Sequence, residues 1–432
     1  MRQTITKLLS AARDLLARAS KKRSSWLLLE QFSTTGSNFV AGACIAKICS
    51  PNEFGLFVAL LSNVAFFSSA HTAMSIGVTA VDVERLKVSK KSYHTDAIFS
   101  SLKLMPLTLL PAIFCLAAIL LRSQTSISAL LLFALPYTIS SIFYDVLRRL
   151  LCVSDAEAPR VALTSMLRAI ITAFPLIYFA STSAHMGTSA KVYSLTILTL
   201  ASVLSLCALA SVAWGLAGRT DRRTSKIALA RQTRRGSWFY ASSVANGALD
   251  QTLLLATSTH GSSDAVGGWR AGSYIFGVMN PALQIADLMA PRIVKRFLQR
   301  DPSFKSILLY LARIVLVVAP ISLGIATFNS KIWLAFLGHH YTQYWMVSYI
   351  YGVTFFFTSI QVALSPLIRT SVPSAALTSR IIGTGCGLAL FFAASRLTAE
   401  FISLSGAFAS LISCAVLLFY LSKKSVRREI RI

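Results

Sequence analysis

Acidic residues are scarce in this chain of 432 residues: 16 Asp and Glu stand against 42 Lys and Arg. Charged residues of both signs make up only 13%, about half of what a soluble domain carries. That shortage excludes an ordinary soluble fold. Enzyme signatures are missing too: the chain has no Gly-Lys-Ser/Thr phosphate loop, no Gly-x-Ser-x-Gly elbow and no His-Glu-x-x-His helix. Neither ATP hydrolysis nor hydrolase chemistry of those types is therefore expected. Cysteine is sparse, and its seven copies (Cys44, Cys49, Cys115, Cys152, Cys207, Cys386, Cys414) form no Cys-x-x-Cys pair. Six of them fall in or beside apolar stretches and read as small hydrophobes rather than ligands. The adjacent His339 and His340 have no Cys or carboxylate close by, so no metal site is expected there.

Apolar length is what the chain has in abundance. Hydrophobic residues make up 55% and mean hydropathy is +0.63. The apolar runs predict an all-α, polytopic membrane protein with about twelve spans, near 26–49, 54–78, 97–121, 127–147, 161–180, 192–216, 237–259, 265–290, 306–328, 343–365, 373–395 and 398–421. The longest break, 217–236, carries seven Lys or Arg and divides the spans six and six. Five segments result: 1–25, an amphipathic surface helix with Ile5, Leu8, Leu9, Ala12, Leu15, Leu16 and Ala19 on one face; 26–216, the first lobe; 217–236, a basic linker; 237–421, the second lobe; and 422–432, a basic tail. No signal peptide fits the start, because Glu30-Gln31 interrupts its apolar run.

The excess of cations follows topology, not nucleic acid. Of the 42 Lys and Arg, 32 lie in the N-terminal segment, the even-numbered connections and the tail, while Lys47, Arg122, Lys191, Lys331 and Arg396 lie on the other side. The positive-inside rule then puts both termini in the cytoplasm; the bacterial inner membrane is the location that the family resemblance given below implies. Connections on the opposite side are short and leave no room for an extramembrane active site.

One stretch is unusual for a membrane helix. Span 26–49 carries Glu30, Gln31, Ser33, Thr34, Thr35, Ser37 and Asn38, a face that must look at protein or water rather than lipid. A corner follows at Ser50-Pro51-Asn52-Glu53, where Pro51 cannot continue the helix. Span 237–259 and the turn after it echo this stretch: Phe32 aligns with Tyr240, Asn38 with Asn246, and Phe54-Gly55 with Val266-Gly267. Internal repeats around a central site are a common plan in secondary transporters.

Two motifs carry a family resemblance. The corner Ala46-Lys47-Ile48-Cys49-Ser50-Pro51-Asn52-Glu53-Phe54-Gly55-Leu56-Phe57 and the run from Asn246 through Asp250 to Leu255, followed by Val266-Gly267-Gly268-Trp269, resemble the multidrug/oligosaccharidyl-lipid/polysaccharide exporter superfamily. The match is best to its O-antigen and exopolysaccharide repeat-unit flippases, with Lys47, Ser50 and Trp269 standing where that family has Arg, Gly and Tyr. The resemblance implies two six-helix lobes around a central cavity that opens to alternate sides. It also implies a substrate, an undecaprenyl-diphosphate-linked oligosaccharide moved from the cytoplasmic to the periplasmic leaflet. Membrane lipids, a polymerase and other polysaccharide-assembly proteins are the partners expected, and nucleic acid is not. No cofactor is expected, and coupling to H+ or Na+ is left open. The alternatives are an ion-coupled multidrug or metabolite exporter of the same superfamily and, in another class, a membrane-embedded polysaccharide polymerase or ligase.

Charges in mid-span are costly and therefore mark candidate sites. Arg168 and Arg270 are read as cavity residues for an anionic headgroup, since guanidinium matches phosphate oxygens through paired donors. Asp250 is read as the ion-coupling group or as a charge partner for an arginine, and Asn38 and Asn246 as polar cavity-lining residues. Glu30, Lys103, Asp145, Asp287, Arg313 and Arg380 lie nearer the expected cytoplasmic face and are read as interfacial.

Overall fold

The computed structural model describes residues 23–85, 90–122, 127–152, 157–182, 187–217, 222–234, 236–260, 263–279, 304–369, 373–394 and 398–422. Among them are fifteen α-helices and no strand. The first half contains α1 (Arg23–Ile48), α2 (Pro51–Arg85), α3 (Lys90–Lys103), α4 (Pro106–Arg122), α5 (Ile127–Leu151), α6 (Ala158–Thr182) and α7 (Gly187–Ala217). After α8 (Arg222–Arg234) come α9 (Gly236–His260), α10 (Ser263–Tyr274) with a 3-10 extension to Met279, and α11 (Phe304–Phe328). A π turn (Asn329–Trp333), the short α12 (Leu334–Leu337) and a 3-10 turn (His339–Tyr344) lead to α13 (Trp345–Arg369), α14 (Pro373–Ala393) and α15 (Ala399–Ser422). Each of the twelve expected spans holds a helix; the eighth runs past Met279 out of the described residues. The expected surface helix and basic tail lie almost wholly outside them.

Six helices are long and apolar enough to cross a membrane by themselves, and a bent pair, Thr95–Lys103 with Pro106–Ala118, makes a seventh. The helices α1 and α9 have the length but are too polar, which is what a cavity wall requires. Side chains such as Phe114, Phe174, Trp214 and Leu316 are exposed, an inverted surface suited to lipid. Phe32 on α1 is also exposed while Glu30 and Ser37 are buried, so the polar face of α1 does turn inward.

The third span is broken by 43° where Pro106 follows the Leu104–Met105 turn. Pro106 has no N–H to continue the ladder. His71 on α2 ties the two pieces together, its Nδ1 2.7 Å from the Thr108 hydroxyl and its Nε2 2.9 Å from that of Ser101.

Packing repeats between the halves. In the first, α1 packs on α6, α2 on α5, α5 on α7 and α6 on α7. In the second, the helices in the same ordinal places do the same: α9 on α14, α10 on α13, α13 on α15 and α14 on α15. The expected repeat is therefore a repeat of architecture.

The lobes meet along α2, which packs on both α9 and α10. The corner before α2 is a capping box. The Ser50 amide donates to the Glu53 carboxylate at 3.1 Å and the Glu53 amide to the Ser50 hydroxyl at 3.4 Å, with Pro51 at the first helical position. Gly267 of α10 lies so close to the Pro51 carbonyl that a Cβ would collide with it. The two motifs that carried the family resemblance thus touch each other across the seam. At the same end, Tyr341 donates to the Ala46 carbonyl at 3.3 Å. Deeper in, the Tyr274 hydroxyl donates to the Asn38 carbonyl, and its ring fills the space left by Gly42.

The expected linker is not plain coil. Within it α8 docks on α3, with Gln232 donating to the Ala97 carbonyl at 3.0 Å and Ser100 to the Ser225 carbonyl at 3.2 Å.

Candidate functional site

A cavity of about 360 Å³ lies between the lobes. Its wall includes Asn38 from α1, Arg168 from α6, Asp250 from α9 and Arg270 from α10. Four of the five residues singled out in the sequence are thus brought to one space from four helices. The fifth, Asn246, stands one turn before Asp250 on α9, and its side chain lies outside the described residues.

Arg168 is held from two sides. Its Nη2 donates to the Ser202 hydroxyl of α7 at 3.1 Å, and its guanidinium lies 4.2 Å from the centre of the Tyr144 ring. Those supports are themselves fixed: Ser141 and Ser202 share a hydrogen bond of 2.9 Å, and the Tyr144 hydroxyl bonds Ser165 at 3.0 Å. An arginine so placed presents its remaining donors to the cavity in one orientation. Arg270 has a looser support, the Tyr274 ring at 5.4 Å.

Asp250 is exposed to the cavity although it sits in mid-span. Among the described residues it makes no hydrogen bond and no ion pair within 4 Å. Asp250 and Arg270 face the same cavity close enough for their charges to interact without a direct contact.

Three charged residues take a part in the packing that the sequence did not suggest. Glu30 and Asp145 were expected at the cytoplasmic interface, and Arg148 was counted among the loop cations. Instead α5 continues to Leu151, and Arg148 is buried within it at 2% exposure. Arg148 pairs with the buried Glu30 of α1 and, at 3.0 Å, with Asp145. Asp145 also accepts from Ser68 of α2 at 3.0 Å and lines the cavity. A buried charge survives in low dielectric only when it is paired, and Arg148 has two carboxylates to pair with. Arg380 lines a second cavity inside the second lobe. Lys103, at the break before α4, and Arg313 are exposed as expected, and Asp287 lies outside the described residues.

Sequence reasoning missed Arg148, Tyr144, Ser202 and the cavity role of Asp145. The i, i+3 spacing of Asp145 and Arg148 was a usable signal. Nothing in the sequence places Ser202 beside Arg168.

No family model matches the sequence, and no curated protein is significantly similar to it. Solved structures do match its fold over nearly the full length. One is the inward-facing conformation of a multidrug resistance MATE family transporter of the MOP superfamily, with a TM-score of 0.63, 14% identity, and 95% of this chain and 99% of that chain covered. The outward-facing conformation of such a transporter matches with a TM-score of 0.58, 15% identity, and coverage of 94% and 96%. A MOP superfamily transporter from Pyrococcus furiosus, described as having a binding pocket of reverse polarity that suggests a different function, gives a TM-score of 0.56, 12% identity and 96% coverage of both chains. At such low identity the likeness is one of fold: an all-helical, multi-pass membrane architecture of two lobes, shared with transporters.

Proposed function

We propose that this chain is a transporter of the same superfamily, belonging to its polysaccharide branch. It moves an undecaprenyl-diphosphate-linked oligosaccharide repeat unit from the cytoplasmic to the periplasmic leaflet of the inner membrane by alternating access, with both termini cytoplasmic. The observation that carries this reading is the joint presence of Arg168 and Arg270, one from each lobe, in the wall of a single cavity. Cations on opposite lobes can grip a diphosphate between them, and a rocking of the lobes then changes the side to which the anion is offered. Asp250 is the group that takes the coupling proton or sodium, since it faces the cavity without a contact ion pair.

Substituting either arginine by alanine should cut delivery of the repeat unit to the cell surface by at least about tenfold, the equivalent of one lost charge-assisted contact, without lowering protein abundance. The chain should be assayed in a deletion strain by quantifying surface polysaccharide and undelivered lipid-linked intermediate. Normal surface polysaccharide in that strain sinks the reading.

One observation favours a second reading, an ion-coupled exporter of cationic compounds: Asp250 offers an open carboxylate to the same cavity. Under that reading the deletion strain loses drug tolerance and keeps its polysaccharide.

A further inference from the structure

Behind Asp250 and Trp269 lies a second cavity, of about 230 Å³, enclosed by α9, α10, α13, α14 and α15 of the second lobe. Those two residues line both spaces, so the chamber adjoins the central cavity through a wall one side chain thick. By volume it holds roughly seven waters at about 30 Å³ each.

Its chemistry is lopsided. The Thr354 hydroxyl donates to the Ile350 carbonyl at 3.3 Å, Thr384 to Ala245 at 2.9 Å and Ser413 to Ser379 at 3.1 Å. Each hydroxyl has a single proton, so these three offer only lone pairs to a guest. Ser403, 1% exposed and also in the wall, has no hydrogen-bond partner for its Oγ. The Asp250 carboxylate adds further acceptors. Arg380 provides a guanidinium in the same wall. A guest matched to this lining brings several donors and some acceptors, and it is not a free cation, which would share a small space with Arg380. A sugar ring has that pattern of hydroxyls and an apolar C–H face for an aromatic neighbour such as Trp269.

We infer that this chamber is a subsite for one sugar ring of the headgroup. The inference rests on the proposed function above, and the placement is coherent with it. The first sugar is bonded directly to the diphosphate, and Trp269 precedes Arg270 on α10. Trp269 lines both the central cavity and the chamber, so a sugar bonded to a diphosphate in the central cavity has the chamber wall beside it.

The test uses the full chain in lipid nanodiscs with two probes, undecaprenyl diphosphate and undecaprenyl diphosphate bearing one N-acetylhexosamine. Binding is read by tryptophan fluorescence. Wild type should bind the glycosylated probe at least about tenfold more tightly. Two variants should erase that preference while leaving affinity for undecaprenyl diphosphate within twofold. Gly406→Leu fills the chamber from a helical position where a Cβ meets only ordinary contacts, the nearest 3.8 Å away. Thr358 also lines the chamber, its hydroxyl 3.5 Å from that of Ser410; Thr358→Val removes that hydroxyl at constant shape, and it carries the test alone if Gly406→Leu lowers the thermal midpoint. Arg168→Ala should weaken both probes alike. A preference that survives both chamber variants overturns the subsite and leaves the flippase reading standing, as does a wild type that binds both probes equally. Chamber variants that alter only the sodium dependence of binding also overturn it, in favour of a cation site. A wild type that binds neither probe overturns the reading on which the subsite rests.

Discussion

Arg168, from the first lobe, is gripped by a hydroxyl at 3.1 Å and an aromatic ring at 4.2 Å, and in the same lobe the buried Arg148 pairs with both Glu30 and Asp145. Across the same cavity, the second lobe offers Asp250 with no contact partner among the described residues and Arg270 with only a ring at 5.4 Å. The helix packing of the two halves repeats element by element, yet their electrostatics do not. The first lobe presents a fixed cation on a support tied together by ion pairs and hydrogen bonds. The second presents a carboxylate and a guanidinium free to respond to whatever enters. On the transport reading proposed above, the first is a stable recognition point and the second a group whose charge state changes during the cycle.

The sharpest way to break this contrast is to remove the centre of the first-lobe network. Arg148→Ala leaves Glu30 and Asp145 without their cation, and stranding a buried charge costs roughly 3–5 kcal/mol. Arg270→Ala, at a part-exposed site with no ion pair, should stay within about 1 kcal/mol. Equilibrium unfolding of the purified proteins in mixed micelles measures both. If the two variants are equally stable, the first lobe is not the rigid half. Combining Arg148→Met with Glu30→Gln and Asp145→Asn should recover most of the loss, because well-packed neutral groups replace a buried network at little cost.

A smaller effect is expected at the paired carboxylates. Asp145→Asn gives up the ionic part of the bonds from Arg148, worth roughly 1.5–3 kcal/mol for hydrogen bonds to charged groups. Asp250→Asn should change stability by no more than about 0.5 kcal/mol. Its consequence should appear in transport instead. In proteoliposomes with an imposed proton or sodium gradient, uptake by Asp250→Asn should no longer respond to that gradient. A gradient response that persists in Asp250→Asn and vanishes in Asp145→Asn reverses the assignment of the two lobes.

Much of the architecture was legible because membrane helices announce themselves by length and by where their charges fall. The polar side of α1, the Pro51 corner and the echo between the two halves were readable from residue type and spacing alone. Arg148 was not, since a charge near the end of an apolar run looks the same whether the helix stops at 147 or adds another turn. The break at Leu104–Met105 had a signal in Pro106, but proline is common in membrane helices and rarely bends them this far. The helix α8 was hidden by its charge density, which masked the small buried face made by Ala228 and Gln232. Of the site, the charged residues were visible because mid-span charge is rare. Their supports, Ser202 and Tyr144, are ordinary residues made important only by tertiary placement.

The last comparison tests whether support of Arg168 comes from the Tyr144 ring or from its hydroxyl. Tyr144→Phe removes the 3.0 Å bond to Ser165 and keeps the face over which the guanidinium lies. One buried neutral hydrogen bond is worth about 1 kcal/mol, so stability should fall by that much while export changes by less than twofold. Tyr144→Leu also removes the ring, giving up a further 0.5–2 kcal/mol or so of cation–π attraction, and Arg168 is then free to turn. Export should fall with Tyr144→Leu but not with Tyr144→Phe, measured as surface polysaccharide at matched protein levels. If both variants export equally well, the orientation of Arg168 is set by Ser202 alone, and the first lobe is held less firmly than its contacts imply. If Tyr144→Phe already abolishes export, the hydroxyl reaches the substrate path itself, and the first lobe has a second polar contact to offer the headgroup.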